Sequence, residues 1–268
     1  MPELPDVESF KRYLDATSLH KKIESVRVTN AKVLRGVSGT MLKKTLPGHS
    51  FEETRRHGKH LFAALDDGRW LRLHFGMTGR LAYFKDLDDD PAHDRVRFDF
   101  VNGYHLAFDD QRLFGQVGLI EDPDAFIAAQ GLGPDAMDES FDRSAFIERM
   151  QNRKGGIKSA LMDQSFLAGI GNLYADEILF QAKLHPNASV QNLDPKALGN
   201  LYTTMRRVLR VAVDRGAGSE ELVDKLPRSY LLPNREAGRD CPRCGGSIIA
   251  IKTAGRTTYL CPRCQRKP

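Results

Sequence analysis

The sequence predicts an α+β fold in three parts: a β-rich N-terminal half, a helical middle and a short cysteine-bearing ribbon at the end. Three observations support this fold class. Short strand-like segments and turn residues fill residues 1–130, helical periodicity replaces the alternation afterwards, and all four cysteines lie within residues 241–264. A chain of 268 residues has room for one large or two modest domains.

The N-terminal part, residues 1–130, reads as a two-layer β-sandwich. A short helix is predicted at residues 6–17, before the first strand. Turn residues such as Asp66-Asp67-Gly68 and Asn102-Gly103 separate the predicted strands. Those strands cover residues 25–30, 61–65, 70–75, 95–100 and 105–108. Several short strands at this spacing indicate two packed sheets.

The middle part is predicted to be helical over residues 141–237. The Gly-, Pro- and Asp-containing residues 131–140 show no periodicity and read as a linker. Asp194 is a suitable N-cap with Pro195 in the first turn, and Gly216 and Gly218 end that helix. Residues 217–237 read as irregular. Helical periodicity occurs at residues 144–150, 158–167, 173–182 and 195–215.

Composition and charge exclude several classes of protein. With 41% hydrophobic and 28% charged residues the chain can bury a sizeable core. It has no run of about 18 apolar residues and no secretory leader pattern, so we expect neither a membrane span nor export. The net charge of +5 is uneven: residues 206–268 carry 14 Lys/Arg against 6 Asp/Glu. A basic C-terminal quarter indicates a polyanionic partner such as nucleic acid, although a solvated basic surface has the same composition.

The four cysteines have the spacing of a metal site. Cys241 and Cys244 form one C-x-x-C pair, and Cys261 and Cys264 form the second. Two such pairs predict one tetrahedral zinc ion with no open coordination position, and therefore a structural role. The segment between the pairs reads as two strands joined by residues 253–256, with Arg256 near the tip, where it can bond phosphate. The ribbon, residues 238–268, could also be a zinc staple without a DNA role.

A glycine-rich turn at residues 168–177, A-G-I-G-N-L-Y-A-D-E, predicts an anion site. Backbone N–H groups at the start of a helix face the positive end of its dipole, and Asn172 adds a donor. It is not a dinucleotide fingerprint, because a helix and not a strand precedes it. A simple packing turn between two helices remains the alternative.

The first eight residues, M-P-E-L-P-D-V-E, carry the most distinctive chemistry. If Met1 is removed, Pro2 presents a secondary amine at the N-terminus. An α-amino group titrates at about 7.7–8.0, so part of it is neutral and nucleophilic near neutral pH. Attack on a sugar C1′ would give a cationic iminium, and the neighbouring Glu3 could move protons.

Taken in order, these segments resemble the formamidopyrimidine-DNA glycosylases, a bifunctional family of base-excision repair. The resemblance begins at Pro2 and Glu3 and continues through Arg55-Arg-His-Gly-Lys59, the glycine-rich turn and the zinc ribbon. It implies that residues 168–177 belong to a helix–two-turn–helix element, whose first helix is entered at residues 155–158. It also implies catalytic roles for Pro2, Glu3 and Lys59, one structural zinc ion and a β,δ-elimination after base removal.

The resemblance further implies a set of DNA-binding residues. Read singly, His74 is an ordinary structural histidine, Lys158 a surface lysine, and Met77 and Phe114 core residues. In the family pattern Met77, Arg112 and Phe114 fill the space left by an extruded base. The implied set is His74, Met77, Arg112, Phe114, Lys158, Asn172 and Arg256.

The implied protein is a monomeric bacterial cytoplasmic enzyme that acts on damaged double-stranded DNA at the nucleoid and removes oxidised purines. The chain departs from the family pattern at Asp6, where a longer glutamate is usual, at Leu113, where a second basic residue is frequent, and in the loop at residues 216–238. Rival hypotheses are an endonuclease VIII-like enzyme for oxidised pyrimidines, a lesion-binding protein without catalysis and a zinc-ribbon transcription or packaging factor.

Overall fold

The computed structural model describes residues 1–216 and 223–266, which divide into two compact units. The first unit contains Met1–Pro2 and Asp6–Gln130, and the second contains Glu3–Pro5 and Gly131–Pro268. The zinc ribbon therefore belongs to the same unit as the helices. Among the described residues, no helix combines the length and apolar character that a bilayer crossing demands.

The first unit is built on two four-stranded antiparallel sheets, ordered β1-β6-β7-β5 and β2-β3-β4-β8. One hydrophobic core receives side chains from both sheets, with Phe51 packed edge-to-face on Phe98 at 5.7 Å between ring centres. This confirms the predicted sandwich. The strands are β1 Ile23–Val28, β2 Phe51–His57, β3 His60–Leu65, β4 Trp70–His74, β5 Arg80–Phe84, β6 Asp94–Phe100, β7 His105–Asp109 and β8 Gln116–Ile120.

Three helices accompany these sheets: α1 Leu4–Ser18, α2 Gly39–Thr45 and α3 Pro123–Ala129. Val7 and Leu14 of α1 lie in the sandwich core. Helix α3 begins at an N-cap, Asp122, whose side chain accepts a hydrogen bond from the backbone of Asp124, and Pro123 occupies the first turn. Helices α2 and α3 were not predicted, because each is only about two turns long.

Strands β2, β5 and β8 were also not predicted. Strand β2 reads F-E-E-T-R-R-H and has only one fully buried side chain, Phe51. Arg55 and Arg56 therefore lie in a strand, and the turn that follows is reduced to Gly58 and Lys59. A polar strand of this kind gives no apolar alternation in the sequence.

The second unit has a helical core with the ribbon packed against it. Asp194 caps α7 as predicted, accepting a hydrogen bond of 2.6 Å from the backbone N–H of Ala197. Helix α5 ends earlier than predicted, because residues 163–167 form a turn. The elements are α4 Arg143–Gln151, α5 Ile157–Met162, α6 Asn172–Gln181, α7 Pro195–Asp214, β9 Ile249–Thr253 and β10 Arg256–Leu260.

The predicted linker, residues 131–140, is packed against the helices of its unit. Ala136 is fully buried, and Gly133 leaves no room for a side chain because an added Cβ would lie 2.6 Å from the backbone of Phe166. Of the segment predicted to be irregular, residues 217–222 lie outside the described range. The rest contains two single 3₁₀ turns, Val223–Lys225 and Leu232–Asn234.

Candidate active site and DNA-binding residues

Glu3 is completely buried and its carboxylate caps the N-terminus of α6. It accepts hydrogen bonds from the backbone N–H groups of Gly171 at 2.7 Å, Leu173 at 2.9 Å and Tyr174 at 3.2 Å. These are the N–H groups that a helix start leaves without an intrahelical partner. The positive end of the helix dipole favours a carboxylate in this position.

The predicted anion site at the glycine-rich turn is therefore present, and the anion it binds is Glu3 of the same chain. Gly171 has to be glycine, because an added Cβ would lie 2.4 Å from the Glu3 Oε1 atom. Leu4 adds a backbone hydrogen bond to Gly169 O at 3.0 Å. Residues 3 and 4 are thus fixed on the two-turn segment, and Pro2 is their direct neighbour in the sequence.

Pro2 is half-buried at the N-terminal end of the first unit and precedes α1 directly. Residue 1 is Met, so the ring nitrogen becomes an amine only when Met1 has been removed. Asp6, the first departure from the family pattern, is buried within the first turn of α1. Its carboxylate is one methylene shorter than the usual glutamate.

Lys59 lies in the tight turn between β2 and β3, with Gly58 before it at a φ of +56°. His57 and His60 close this turn as a residue pair. Lys59 is half-buried. A two-residue turn fixes the direction of its side chain better than a long loop would.

His74 is the last residue of β4, and its ring lies 4.9 Å from the ring of His60. Its Nδ1 accepts a hydrogen bond from the Gly76 N–H at 3.2 Å, so the neutral ring has its proton on Nε2. Burial, and then the charges of Arg72 and Lys59, lower the pKa of His74 to about 4. At neutral pH its Nε2–H is thus a neutral donor, suited to a phosphate oxygen.

Met77, Arg112 and Phe114 lie in two loops of the first unit, the β4–β5 loop (residues 75–79) and the β7–β8 loop (residues 110–115). Met77 is 38% exposed and Phe114 is 54% exposed. The Arg112 guanidinium lies 5.3 Å from the centre of the Phe114 ring. The alternative that Met77 and Phe114 are core residues is excluded by their exposure. All three side chains are available to a partner.

Lys158 is completely buried and all three of its ammonium protons are engaged. Its Nζ donates to Asp176 at 2.6 Å, to the Thr258 hydroxyl at 2.6 Å and to Asn172 Oδ1 at 2.7 Å. Burial lowers the pKa of Lys158, and the Asp176 carboxylate opposes that effect. This burial excludes the ordinary surface lysine. Lys158 joins α5, α6 and the ribbon, and its contact with DNA stays a prediction.

Asn172, the first residue of α6, is half-buried. Its oxygen accepts from Lys158, and its nitrogen donates to Thr257 O at 3.1 Å. The two bonds fix the orientation of the amide group. Among the residues that the structure describes, no acceptor meets the second N–H of that amide, which suits a further acceptor such as the phosphate oxygen implied by the family pattern.

Asp176 and Arg235 complete this buried network and were missed by sequence reasoning. Asp176 Oδ2 accepts from Arg235 Nε at 2.9 Å and from the Tyr259 N–H at 3.1 Å. The Arg235 guanidinium also lies 4.6 Å from the centre of the Tyr259 ring. Asp176 lies inside the A-G-I-G-N-L-Y-A-D-E motif, so its position was the one signal that could have identified it.

The four cysteines converge as predicted. Their sulfur atoms all lie within 4.8 Å of one another, with Cys241 and Cys264 at 3.9 Å and Cys244 and Cys261 at 3.5 Å. Four thiolates at Zn–S distances of about 2.3 Å stand about 3.8 Å apart in a tetrahedron, so the donor set fits one structural zinc ion. Buried Gln265 supports it by accepting from the Cys261 N–H at 3.1 Å.

A two-residue turn, Ala254-Gly255, joins the two strands of the ribbon at its tip, and both of its residues have positive φ. Arg256 is exposed and follows the turn as the first residue of β10, paired with Thr253. The predicted place near the tip of the ribbon is correct. An exposed guanidinium there can approach a phosphate group.

Glu177, also missed from the sequence, holds the described end of the atypical loop. Its carboxylate accepts from the Leu232 N–H at 2.8 Å and from Gln181 Nε2 at 2.7 Å. Burial raises the pKa of Glu177 to about 7. The turn at Leu232–Asn234 is thereby attached to the helix whose start binds Glu3.

Comparisons with known proteins agree with this arrangement. Family models match in chain order: the formamidopyrimidine-DNA glycosylase N-terminal domain at residues 1–117, the H2TH domain of the same glycosylases at residues 132–224, and the zinc finger found in FPG and IleRS at residues 240–266. The formamidopyrimidine-DNA glycosylase of Pelotomaculum thermopropionicum is 35% identical over 275 residues, covering 99% of both chains. That of Heliobacterium modesticaldum is 36% identical over 278 residues, covering 99% of this chain and all of its own.

Solved structures agree as well. The Lactococcus lactis formamidopyrimidine-DNA glycosylase bound to DNA with an abasic site has a TM-score of 0.89 at 31% identity, covering 99% of this chain and all of that one. A MutM complex with DNA containing carbocyclic 8-oxo-G gives the same TM-score, identity and coverage. These matches span the sandwich, the helices and the ribbon. The chain belongs to the formamidopyrimidine-DNA glycosylase family.

Proposed function

We propose that this protein is a DNA glycosylase with abasic-site lyase activity, acting through the Pro2 amine on damaged double-stranded DNA. The observation that carries the proposal is the fixation of Glu3 by three backbone N–H groups, which positions the adjacent Pro2 nitrogen. A terminal amine whose neighbour is fixed in this way suits imine formation with a sugar aldehyde.

The chemistry follows from a secondary amine. With Met1 removed, the Pro2 nitrogen attacks C1′ of an extruded nucleotide, the bond from C1′ to the base breaks, and the base leaves with a proton. Opening of the sugar ring gives an iminium ion. Loss of a C2′ proton then expels the 3′ phosphate, and a second elimination expels the 5′ phosphate. Lys59 would supply positive charge at the sugar, and Glu3 a carboxylate next to the amine.

The DNA-binding residues have separate roles in the proposal. His74, Asn172 and Arg256 offer donors to phosphate oxygens, whereas Met77 and Phe114 offer apolar surface to the stack. We further propose that the substrates are oxidised purines, formamidopyrimidines before 8-oxoguanine. Since the curated relatives are bacterial proteins, we extend the proposal to a monomeric cytoplasmic enzyme that works on nucleoid DNA.

Borohydride trapping tests the proposal. Purified protein is mixed with duplexes carrying an abasic site, 8-oxoguanine, a formamidopyrimidine or thymine glycol, and the cross-linked residue is mapped by mass spectrometry. An adduct on Pro2 with the purine lesions is the expected result. Preference for thymine glycol would favour an enzyme for oxidised pyrimidines. Binding without any adduct, in protein shown by intact mass to lack Met1, would favour a lesion-binding protein and overturn the proposal.

A further inference from the structure

The β4–β5 loop and the β7–β8 loop cross between the two sheets at the same edge of the sandwich. His74 at the end of β4 pairs with Gln116 at the start of β8, and Arg80 at the start of β5 pairs with Asp109 at the end of β7. The β4–β5 loop thus leaves the sheet that contains β4 beside the point where the β7–β8 loop enters that sheet. At the other sheet the two loops are again neighbours, where one enters and the other leaves. The pairing forces the two loops to run side by side, although they are more than 30 residues apart in sequence.

The buried carboxylate of Asp110 joins the two loops. It is completely buried, and its Oδ1 accepts from the Thr78 hydroxyl at 2.6 Å while its Oδ2 accepts from the Gly115 N–H at 2.7 Å. Thr78 Oγ1 in turn accepts from the Arg112 N–H at 3.1 Å. The Thr78 hydroxyl of the β4–β5 loop therefore accepts from the backbone of the β7–β8 loop and donates to the Asp110 carboxylate of that same loop. The Arg112 N–H also reaches Asp110 Oδ1 at 3.3 Å.

Close backbone contact reinforces this link. Gly76 has a φ of +57°, and a Cβ there would lie 2.4 Å from the carbonyl carbon of Phe114. Leu113 also has a positive φ, of +59°, a conformation that is strained for a residue with a Cβ. Its side chain packs against the sandwich core and so anchors the loop. The departure from a basic residue at position 113 thus exchanges a charge for an apolar anchor.

From this geometry we infer that Thr78 and Asp110 are positioning residues, which hold Met77, Arg112 and Phe114 as one preassembled wedge. The inference rests on the proposed function, in which those three side chains enter the DNA stack. Loops ordered before binding lose little conformational freedom when DNA arrives, so the wedge is inserted quickly. Without the Thr78 hydroxyl the loops can separate, and Met77 and Phe114 have to be ordered during insertion.

The test measures insertion and chemistry separately. A duplex with a tetrahydrofuran abasic analogue and 2-aminopurine in the opposite strand reports insertion by stopped-flow fluorescence, since the analogue undergoes no cleavage. Borohydride trapping on a single-stranded abasic oligonucleotide reports the amine chemistry without a base stack to open. We expect Thr78→Val to slow insertion about tenfold and to change single-strand trapping by less than about twofold. Thr78→Ser, which keeps the hydroxyl, is expected to restore the insertion rate.

Each other outcome counts against the inference in a distinguishable way. Insertion by Thr78→Val at the wild-type rate would show that the loops need no link. Equal losses in insertion and in single-strand trapping would show a general folding defect. Unchanged insertion by Met77→Ala would show that no wedge exists, which removes that part of the proposed function and leaves the Pro2 chemistry untouched. Asp110→Asn is the second variant, and we expect it to slow insertion too. Its melting temperature is measured in parallel, so that a loss of folding is recognised.

Discussion

At the scale of single residues, the environment of a side chain decides what it does. The sequence predicts that Glu3 moves protons beside the amine, and it gives no sign that the same carboxylate is an anchor. The structure gives its carboxylate three backbone donors at the start of α6. A carboxylate held in this way can affect the reaction by fixing the Pro2 nitrogen as well as by moving protons.

Glu3→Gln tests whether the hydrogen bonds of the Glu3 carboxylate matter, or only the space that its side chain fills. The amide keeps the size of the side chain, but it places an NH₂ donor against N–H groups, so at least one helix donor loses its acceptor. We expect a loss of about 1–3 kcal/mol in the free energy of unfolding and a large drop in borohydride trapping. Urea denaturation measures the loss of stability, and borohydride trapping measures the loss of amine chemistry. Glu24→Gln, at an exposed position of strand β1, is the control, and an equal effect of both substitutions would contradict the anchoring role.

A pair of histidines makes the first unit sensitive to acid. Burial is the main cause that lowers the pKa of His74 to about 4 and that of His60 to about 2, from an ordinary value of 6.5. Between pH 6.5 and 4 the unfolded chain therefore binds protons at these positions and the folded chain does not. The free energy of unfolding thus rises with pH across this window, and it falls on acidification by at most about 1.4 kcal/mol per pH unit for each histidine.

We expect His74→Asn to flatten that dependence, because asparagine does not titrate and its oxygen can accept from the Gly76 N–H. Urea denaturation curves at half-unit steps from pH 4.5 to 7.5 measure the slope. His20→Asn is the matched control, since His20 is exposed and has a φ of +58°, which asparagine tolerates. The same flattening in both variants would show that burial of His74 is not the cause.

At the scale of elements, α6 organises the second unit. Its N-terminus binds Glu3, its middle holds Lys158 through Asp176, and its last turn presents Phe180 to the zinc ribbon. The Arg243 guanidinium, between two zinc ligands, lies 4.2 Å from the Phe180 ring centre and donates to Phe180 O at 2.9 Å. One ten-residue helix thus joins the N-terminal residues to the metal-stabilised hairpin.

Lys158→Met tests whether this lysine joins elements or touches DNA. Methionine is unbranched like lysine, and the substitution removes the Lys158 ion pair of Asp176 while the Arg235 pair stays. Loss of one partner of a buried ion pair costs about 3–5 kcal/mol. We expect that loss of stability with an unchanged salt dependence of DNA binding. A direct phosphate contact would instead reduce the slope by about one, with little change in stability. Lys154→Met, on an exposed neighbour, is the control.

At the scale of the whole molecule, a feature could be predicted when the residues that form it lie close together in the sequence. The cysteine spacing, the Asp194 cap and the apolar strands are local patterns, and they predicted the ribbon, α7 and most of the sandwich. The bond from Glu3 to Gly171 spans 168 residues, and the bond from Lys158 to Thr258 spans 100. Such pairs leave no periodicity in the sequence, so the burial of both side chains became visible only in the structure.

Folding and chemistry should be separable at the N-terminus, because the anchor is Glu3 and the nucleophile is the Pro2 nitrogen. Insertion of one alanine between Met1 and Pro2 converts that nitrogen into an amide and leaves residues 3 and 4 in place. We expect a melting temperature within a few degrees of the parent protein, duplex binding within about twofold, and loss of the Pro2 adduct in borohydride trapping. Unfolding of the variant would show that the terminus is structural. Undiminished trapping at a residue other than Pro2, in the parent protein and in the variant alike, would show that the reactive nitrogen lies elsewhere, and the imine mechanism through Pro2 would then have to be abandoned.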